Sequence, residues 1–273
     1  MINIVYCGNA GIFKGITMSL LSAQENTKEP IAAMVLTGDF SSLDPRFTPF
    51  GEERRILLEG ALKAKNSASS LRVVDVTEAF NEELSASRNA KSSYTPYTLL
   101  RLFLDRLKDV PDKLLYLDAD TIVMKDLSRL YSIDLGDRYC AWVLDRFGHV
   151  LINPSYCNAG VILLNVSLLV RDGVFASSRA LLRKKKWSFP DQDVLNRLTK
   201  GRKMILPREF NEQKGLRPDT VIRHYCNQPR IFPYIHAMVA KPWDLPRIHQ
   251  VYKTTVHDSL HEECRLLWRK IEK

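Results

Sequence analysis

Short apolar runs alternate with longer segments of helical periodicity along most of the chain. Runs of four to eight apolar residues favour buried strands, whereas apolar positions spaced three or four apart favour helices. The predicted strands are residues 2–6, 31–37, 71–76, 113–117, 121–124, 141–144 and 160–164. The predicted helices are residues 16–23, 52–65, 97–107, 166–182 and 192–198. This alternation of strands and helices predicts one α/β domain with a mostly parallel sheet.

The C-terminal part of the chain follows a different pattern. Residues 203–246 are rich in proline and show little periodicity, which predicts irregular structure over the core. Residues 247–273 place apolar positions on one face of a basic segment, which predicts an amphipathic helix. We therefore divide the chain into a domain of residues 1–246 and a basic amphipathic C-terminal helix of residues 247–273.

The composition is that of a globular protein with an excess of positive charge. Of the 273 residues, 45% are hydrophobic and 26% are charged. The net charge of +9 favours an anionic partner, which a nucleic acid, an anionic membrane or a phosphorylated small molecule would satisfy. The five cysteines are scattered without a C-x-x-C pair, and we expect no signal peptide. Both features predict a cytoplasmic protein.

Polar residues stand where several predicted strands end. Gly8 and Asn9 follow the first strand, Asp118 and Asp120 follow the fourth, and Asp145 follows a later one. Ligands of open α/β sheets bind at the carboxyl ends of the strands. An extended backbone turns the two aspartates of the fourth strand to one face, where a divalent cation would offset the repulsion between their carboxylates. This spacing predicts a site for Mg²⁺ or Mn²⁺.

The segment that contains the two aspartates also carries a resemblance to a known family. Residues 115–123, with the sequence LYLDADTIV, resemble the D-x-D core of family 8 glycosyltransferases. Further matches follow in chain order and span most of the chain, which makes the resemblance specific. They are the opening strand at residues 4–9, a helix arginine at Arg101, a sugar-binding aspartate at Asp145, the N-A-G-V strand entry at residues 157–161, the D-Q-D helix start at residues 191–196 and the K-P-W segment at residues 241–243.

The resemblance implies a fold and an activity. The implied fold is GT-A, a Rossmann-like, mostly parallel mixed sheet flanked by helices, with a small irregular and helical C-terminal elaboration. Residues 1–246 would form a catalytic domain that binds a nucleotide sugar. Family members are retaining, metal-dependent enzymes, and bacterial members build lipopolysaccharide or other surface glycans. We therefore expect transfer of glucose or galactose from a UDP-sugar to a glycan or lipid-linked acceptor in cell-surface polysaccharide synthesis, with Mn²⁺ or Mg²⁺ as cofactor.

The resemblance also implies a metal site and a phosphate site. Asp118 and Asp120 would hold the metal, with a histidine as the third protein ligand. His224 fits the family's apolar-histidine-aromatic context best, and His236 is the runner-up because it lies nearer to Lys241 along the chain. Lys241 would place a positive charge against the donor diphosphate.

The remaining implied roles concern the donor and the reacting sugar. Arg101 would bridge phosphate and sugar, and Asn9 would bind the edge of the base. The other residues assigned to donor binding are Cys7, Gly8, Ala119, Asn158 and Ala159. The residues assigned to the reacting sugar, together with Arg101, are Asp145, Asp191 and Gln192.

Retention of anomeric configuration makes Gln192 informative. A double displacement needs a carboxylate beneath the anomeric carbon, and the matching position here is an amide, which is a poor nucleophile. We therefore favour a front-face reaction, in which the leaving phosphate oxygen takes the acceptor proton and the carbonyl of Gln192 stabilises positive charge. Double displacement stays open as the alternative.

Two dense basic segments, residues 179–187 and 200–203, lie outside these motifs. Each one alone predicts a solvated surface. Together with the basic C-terminal helix they favour peripheral contact with an anionic membrane at its inner face.

Two other functions compete with glycosyl transfer. A nucleotidyltransferase that makes a sugar nucleotide would share the layout and the metal, but residues 8–11 followed by Lys14 match its glycine-rich loop only weakly. A non-catalytic basic binding protein is the third function. The sequence has no helix-turn-helix, zinc-finger or RNP-like motif, so we expect no nucleic-acid partner.

Overall fold

The computed structural model describes residues 1–91, 94–230 and 236–271. The strands are β1 (Ile2–Cys7), β2 (Ile31–Thr37), β3 (Ser70–Asp75), β4 (Lys113–Leu117), β5 (Thr121–Val123), β6 (Cys140–Leu144), β7 (Cys157–Asn165), β8 (Lys203–Leu206), β9 (Ile222–His224), β10 (Gln228–Arg230) and β11 (His236–Met238). The α-helices are α1 (Phe13–Asn26), α2 (Glu52–Lys65), α3 (Thr77–Leu84), α4 (Ser128–Tyr131), α5 (Gly148–Leu151), α6 (Val166–Arg171), α7 (Val174–Lys184), α8 (Pro190–Leu198), α9 (Leu245–Tyr252) and α10 (Asp258–Ile271). The 3₁₀-helical segments are Ala10–Ile12, Pro96–Arg106 and Arg208–Asn211.

The main sheet has seven strands in the order β3-β2-β1-β4-β7-β6-β8. Strand β7 runs antiparallel to its neighbours β4 and β6, and all the other neighbouring pairs in this sheet are parallel. The carboxyl ends of β1, β4 and β6 and the amino end of β7 therefore lie along one edge. This mixed, mostly parallel sheet confirms the predicted fold class and gathers the segments that follow these strands.

Helices cover both faces of the main sheet, because consecutive residues of a strand point to opposite sides. In β1, Ile4 and Tyr6 pack into one apolar core and Val5 packs into the other. The first core includes side chains of α1, α2 and α10, and the second includes side chains of α3, α7, α8 and the Pro96–Arg106 segment. Within the described ranges, none of the helices has the combination of length and hydropathy that crossing a bilayer requires.

A small antiparallel sheet brings a distant segment to the end of β4. Strand β5 begins directly after Asp120 and pairs with β9, so that Thr121 lies opposite His224. The backbone N–H of Tyr225 donates to the carbonyl of Asp120 at 2.9 Å. Because β9 is fixed to the strand that follows the two aspartates, His224 lies beside them.

Most predicted elements are present, and β2, β4 and α2 have the predicted bounds. Two predicted helices take another form. Residues 97–107 correspond to the 3₁₀ segment Pro96–Arg106, in which eight of the eleven residues are buried. The predicted helix of residues 166–182 is divided into α6 and α7 at Gly173, which has a φ of 65°.

The C-terminal part is more regular than its sequence predicts. Residues 203–246 contain the short strands β8 to β11, so the prediction of irregular structure was wrong for these four stretches. Residues 247–273 hold α10 and most of α9 rather than one helix. Lys253 ends α9 with a φ of 51°, and the β-branched residues 254–256 that follow disfavour helix. Helix α10 packs on the main body through Trp268, and the division at residue 246 stays a prediction.

Candidate active site

A cavity of about 1100 Å³ opens at the edge of the sheet where β1, β4 and β6 end. Every residue that the resemblance assigns to donor, sugar or metal lines this cavity. These residues are Cys7, Gly8, Asn9, Arg101, Asp118, Ala119, Asp120, Asp145, Asn158, Ala159, Asp191, Gln192, His224 and Lys241. The runner-up His236 has its backbone in β11, and its side chain lies outside what the structure describes.

Asp118, Asp120 and His224 form a cluster of metal-ligating side chains. One ligand atom from each lies within 4.8 Å of the others. Nε2 of His224 is 3.2 Å from Oδ1 of Asp120 and 3.7 Å from Oδ2 of Asp118. Two carboxylates and an imidazole are donors that suit Mn²⁺ or Mg²⁺, so the chemistry of this set fits a divalent cation.

Lys241 closes one side of the metal-ligating cluster. Its Nζ lies 2.6 Å from Oδ2 of Asp120 and donates to the carbonyl of Tyr225 at 3.1 Å. Burial opposes the charged form of Asp120, but Lys241 and His224 outweigh it and hold the pKa of this carboxyl well below its usual range. Burial likewise opposes the charged ammonium, yet Asp120 raises the pKa of Lys241. The lysine is therefore a fixed positive charge at the wall of the cavity.

Arg101 lies beneath the cluster and is only 2% exposed. Its Nη1 donates to the carbonyl of Ala159 at 2.6 Å, and its Nη2 donates to Asp118 Oδ1 at 3.1 Å and to the Tyr116 hydroxyl at 2.5 Å. The guanidinium also stacks on the Tyr116 ring, with 3.6 Å between Cζ and the ring centroid. Acceptors within the chain thus occupy most hydrogen-bonding positions of the Arg101 guanidinium. A direct role for Arg101 at phosphate and sugar stays a prediction.

Arg101 also neutralises a second carboxylate in a buried position. Its Nη2 lies 3.4 Å from Oδ2 of Asp191, at the start of α8. Burial raises the pKa of Asp191, and Arg101 opposes that rise by favouring the ionised form. Burial also raises the pKa of the Cys7 thiol to about 12, so this cysteine is neutral and serves the cavity as a small wall residue.

Hydrogen bonds link four residues at the wall of the cavity, namely Asp145, Asn158, Ala159 and Gln192. Nδ2 of Asn158 donates to Oδ2 of Asp145 at 2.9 Å. Gln192 accepts the backbone N–H of Ala159 on Oε1 at 2.8 Å, and its Nε2 donates to Oδ2 of Asp145 at 3.5 Å. These bonds fix the two amides at the wall of the cavity. Their roles at the sugar stay predictions.

The residue after β1 and the first turn of α1 also help to shape the cavity. Nδ2 of Asn9 donates to the carbonyl of Arg46 at 3.2 Å, which orients the residue assigned to the base. At Gly15 a Cβ would lie 2.6 Å from the Trp243 ring and 2.7 Å from the carbonyl of Ala119. Glycine at this position therefore lets the K-P-W segment pack close to the D-x-D segment.

Several residues in the cavity or directly behind its wall were not identified from the sequence. Tyr116 donates its hydroxyl to Oδ1 of Asp118 at 2.6 Å, and its position two residues earlier on β4 is a signal that could have identified it. Asn211 bonds to His224, but it lies in the segment of little periodicity, where the sequence gives no signal. An apolar rim, formed by Tyr94, Phe147, Leu151, Ile152 and Phe189, was also missed.

The basic segment of residues 179–187 is not uniformly a solvated surface. Arg179 is 2% exposed and donates to Oε2 of Glu83 at 2.9 Å and to Oδ1 of Asp105 at 2.6 Å. Arg183 also donates to Oε2 of Glu83, at 2.9 Å. Both arginines form ion pairs with acidic residues of the chain, and Arg179 is buried. The prediction of a solvated surface was therefore wrong for Arg179.

Sequence comparison relates the chain to lipopolysaccharide glycosyltransferases. The lipopolysaccharide 1,2-glucosyltransferase of Escherichia coli is 29% identical over 180 residues, which cover 58% of this chain and 53% of that protein. The match thus spans about half the length of that relative. The lipopolysaccharide 1,3-galactosyltransferase of Salmonella typhimurium is 25% identical over 262 residues, which cover 88% of this chain and 72% of that protein.

Structural and family comparisons identify the fold and the family of the chain. The crystal structure of the galactosyltransferase LgtC, in complex with donor and acceptor sugar analogs, superimposes with a TM-score of 0.71 at 22% identity and covers 96% of this chain and 95% of that chain. This similarity confirms the GT-A fold. The sequence pattern of glycosyl transferase family 8 matches residues 3–245, which is most of the chain. The chain belongs to glycosyl transferase family 8.

Proposed function

We propose that this protein is a retaining, metal-dependent hexosyltransferase that moves glucose or galactose from a UDP-sugar to a glycan or glycolipid acceptor. The observation that carries the proposal is the Asp118, Asp120 and His224 cluster beside Lys241 in the wall of one large cavity. The relatives named as lipopolysaccharide glucosyl- and galactosyltransferases support cell-surface polysaccharide synthesis as the context.

The proposed donor site combines the metal with charged groups of the chain. A bound Mn²⁺ or Mg²⁺ would act as a Lewis acid that neutralises charge on the donor diphosphate. Lys241 would contribute a positive charge to the same diphosphate, next to the ligands Asp118, Asp120 and His224. Asn9 would face the base at the end of β1.

The proposed chemistry takes place where Gln192 and Asp145 meet. Oε1 of Gln192 already accepts the Ala159 N–H, so the carbonyl is held in a fixed direction. A preorganised carbonyl dipole of this kind stabilises positive charge that develops on the sugar, without becoming a nucleophile. The acceptor hydroxyl would lose its proton to the leaving phosphate oxygen on the same face of the sugar.

The proposed acceptor enters over the apolar rim. Leu151 and Ile152 line the cavity and are 78% and 55% exposed, and Val150 beside them is 72% exposed. Two further residues of the apolar rim, Tyr94 and Phe189, pack their aromatic rings together with the ring centroids 5.9 Å apart. Exposed apolar groups that continue out of a polar sugar site suit an amphiphilic acceptor, whose glycan enters the cavity while its lipid covers the rim.

A cytoplasmic location with peripheral contact at the inner face of the membrane is part of the same proposal. Helix α10 exposes Leu266, Arg269 and Lys270, a combination that favours binding to an anionic lipid surface. Sedimentation with vesicles that contain anionic lipid tests this part. We expect retention at low salt and release at high salt, and a chain that stays in the supernatant at low salt would exclude it.

A thermal-shift screen of nucleotide sugars tests the activity. With Mn²⁺ present, UDP-glucose or UDP-galactose at about 100 times its Kd should raise the Tm by about 5 °C or more, and chelation should remove that gain. Asp120→Asn should lose the gain, whereas Asp137→Asn, at an exposed position, should keep it. Indifference to every UDP-sugar would overturn the proposal, and stabilisation by a nucleoside triphosphate with a sugar phosphate would favour a nucleotidyltransferase.

A further inference from the structure

A buried row of hydrogen bonds connects the sugar side of the cavity with the metal-ligating cluster. Nδ2 of Asn158 donates to Asp145 at 2.9 Å, Nδ2 of Asn211 donates to Oδ1 of Asn158 at 3.0 Å, and Oδ1 of Asn211 lies 3.1 Å from Nδ1 of His224. Asn211 is 1% exposed and His224 is 2% exposed. Water therefore does not compete for the bond between them.

The direction of donation along this row is determined by its fixed groups. The backbone N–H of Gly160 can only donate, and it donates to Oδ1 of Asn158 at 3.0 Å. The ionised carboxylate of Asp145 can only accept, so the other end of the Asn158 amide must be its NH₂ group. Oδ1 of Asn158 then requires a donor from Asn211. The carbonyl oxygen of Asn211 is left to face His224.

This direction determines that the ring nitrogen of His224 beside Asn211 carries a hydrogen. Because the Asn211 carbonyl can only accept, Nδ1 of His224 must carry the hydrogen. Nε2 faces Asp118 and Asp120 and is therefore the ring nitrogen that would offer its lone pair to a metal. Nδ1–H would stay bonded to Asn211 when the metal binds.

The backbone holds Asn211 in register with His224. The Glu212 N–H donates to the carbonyl of Ile222 at 2.9 Å, and the His224 N–H donates to the carbonyl of Glu212 at 3.0 Å. The histidine ring also rests on Gly160, where a Cβ would lie 2.1 Å from its Cε1 atom. The ring therefore has little freedom to flip or to turn away from the aspartates.

We propose that Asn211 is a positioning residue that fixes the Nδ1–H tautomer and the orientation of His224 for metal binding. The proposal rests on the metal site proposed above. Partners that orient a metal-binding histidine typically change metal affinity by about 10- to 100-fold when they are removed. The side chain of Asn211 bonds to Asn158 and to His224, so its effect on a metal would be exerted through His224.

The tautomer can be measured directly in the unsubstituted chain. Long-range ¹H–¹⁵N spectra of the metal-free protein show whether Nδ1 of His224 carries a hydrogen. We expect Nδ1–H for His224, with the signal assigned by its loss in His224→Ala. An Nδ1 without a hydrogen would overturn the inference without affecting the proposed function.

Substitutions test the consequence for metal affinity. We expect Asn211→Ala to weaken Mn²⁺ binding in the presence of UDP by about 10- to 100-fold, measured by calorimetry or by the EPR signal of free Mn²⁺. Asn211→Asp keeps an acceptor for Nδ1–H but loses the donor to Asn158, so it should lose less Mn²⁺ affinity than Asn211→Ala. Equal losses in both variants, or an affinity unchanged by Asn211→Ala, would contradict the positioning role.

A third variant separates this inference from the proposed function. His224→Ala removes the ligand itself, so it should weaken Mn²⁺ binding at least as much as Asn211→Ala does. If His224→Ala has no effect, the proposed metal site is wrong. If His224→Ala weakens binding and Asn211→Ala does not, only the role of Asn211 is wrong. Should Asn211→Ala fail to fold, the tautomer measurement still decides the inference.

Discussion

Nζ of Lys241 lies 2.6 Å from Oδ2 of Asp120, so the lysine would compete with a bound metal for this carboxylate. The lysine lowers the pKa of Asp120, which keeps this metal-ligating group ionised. A metal that binds alone meets a neighbouring positive charge and a carboxylate already in use. A diphosphate that arrives with the metal offers Lys241 a second anionic partner. In the proposed site, the pair would therefore couple metal binding to donor binding.

Substitution of Lys241 should affect metal and nucleotide in opposite directions. In Lys241→Met, Mn²⁺ alone should bind at least about threefold more tightly, because the competing ammonium is gone. UDP in the presence of Mn²⁺ should bind about 10- to 100-fold more weakly, because a charge-assisted bond is lost. Titration calorimetry measures both, with Lys63→Met on α2 as a matched control. A weaker binding of Mn²⁺ alone would contradict the coupling.

Arg101 should contribute to stability as well as to the site. Arg101→Met leaves the buried Asp191 without its main positive partner, and we expect the free energy of unfolding to fall by about 3–5 kcal/mol. Arg101→Lys should recover only part of this loss, because lysine cannot reproduce the planar fork. Urea denaturation measures the change, and the exposed Arg138→Met should stay within about 0.5 kcal/mol.

A double substitution shows whether Asp191 causes the loss in Arg101→Met. Adding Asp191→Asn removes the uncompensated charge, so the double variant should be more stable than Arg101→Met alone. Additive losses would show that the ion pair of Arg101 and Asp191 contributes little.

The part of the site that follows from strand ends could be predicted from the sequence. Asn9, Asp118 and Asp145 each follow a recognisable apolar run, and a mostly parallel sheet gathers such ends at one edge. Asn158 lies at the same edge because β7 begins there, but only the family resemblance identified it. Local patterns sufficed here because strand periodicity and strand order determine position together.

The histidine of the candidate metal site could not be placed by local patterns. His224 lies in β9, a strand of three residues whose position depends on pairing with β5 and on backbone bonds to Glu212. Such long-range pairing leaves no periodic signal in a proline-rich segment. Only the family resemblance identified His224, and nothing in the sequence identified Asn211. Similarly, the burial of Arg179 depends on Glu83 and Asp105, which lie far away in the chain.

Replacement of Gln192 should slow the reaction without abolishing it. In Gln192→Ala we expect turnover to fall by about 10²- to 10³-fold, because a fixed carbonyl dipole is lost, while donor affinity changes less than about threefold. Initial rates and donor titration measure the two quantities, and proton NMR of the product should show retained configuration. Complete loss of turnover with donor binding intact, or a trapped glycosyl adduct on a nearby carboxylate, would favour double displacement.

The apolar rim should control the acceptor and not the donor. Leu151→Ser should raise the KM for a lipid-linked acceptor several-fold and leave the KM for the UDP-sugar unchanged, because Leu151 lies at the mouth of the cavity. Ile56→Ser is a matched control, since Ile56 is an exposed apolar residue on α2. The effect should vanish with a soluble glycan acceptor that lacks the lipid. Equal effects on both acceptors would assign the rim to the glycan instead.

The ion pair of Glu83 and Arg179 should make stability depend on pH. Burial disfavours the ionised carboxylate, but Arg179 and Arg183 outweigh it and lower the pKa of Glu83 in the folded chain. The unfolded chain then binds this proton more readily, so the stabilisation is complete above the ordinary glutamate pKa of about 4.3 and is lost as the pH falls below it. Glu83→Gln should cost about 1–3 kcal/mol at pH 7, and its deficit against the unsubstituted chain should shrink towards pH 3.5 in urea denaturation. Glu78→Gln, exposed on the same helix, should show no such trend, and a deficit for Glu83→Gln that stays constant from pH 7 to 3.5 would contradict the ionic origin.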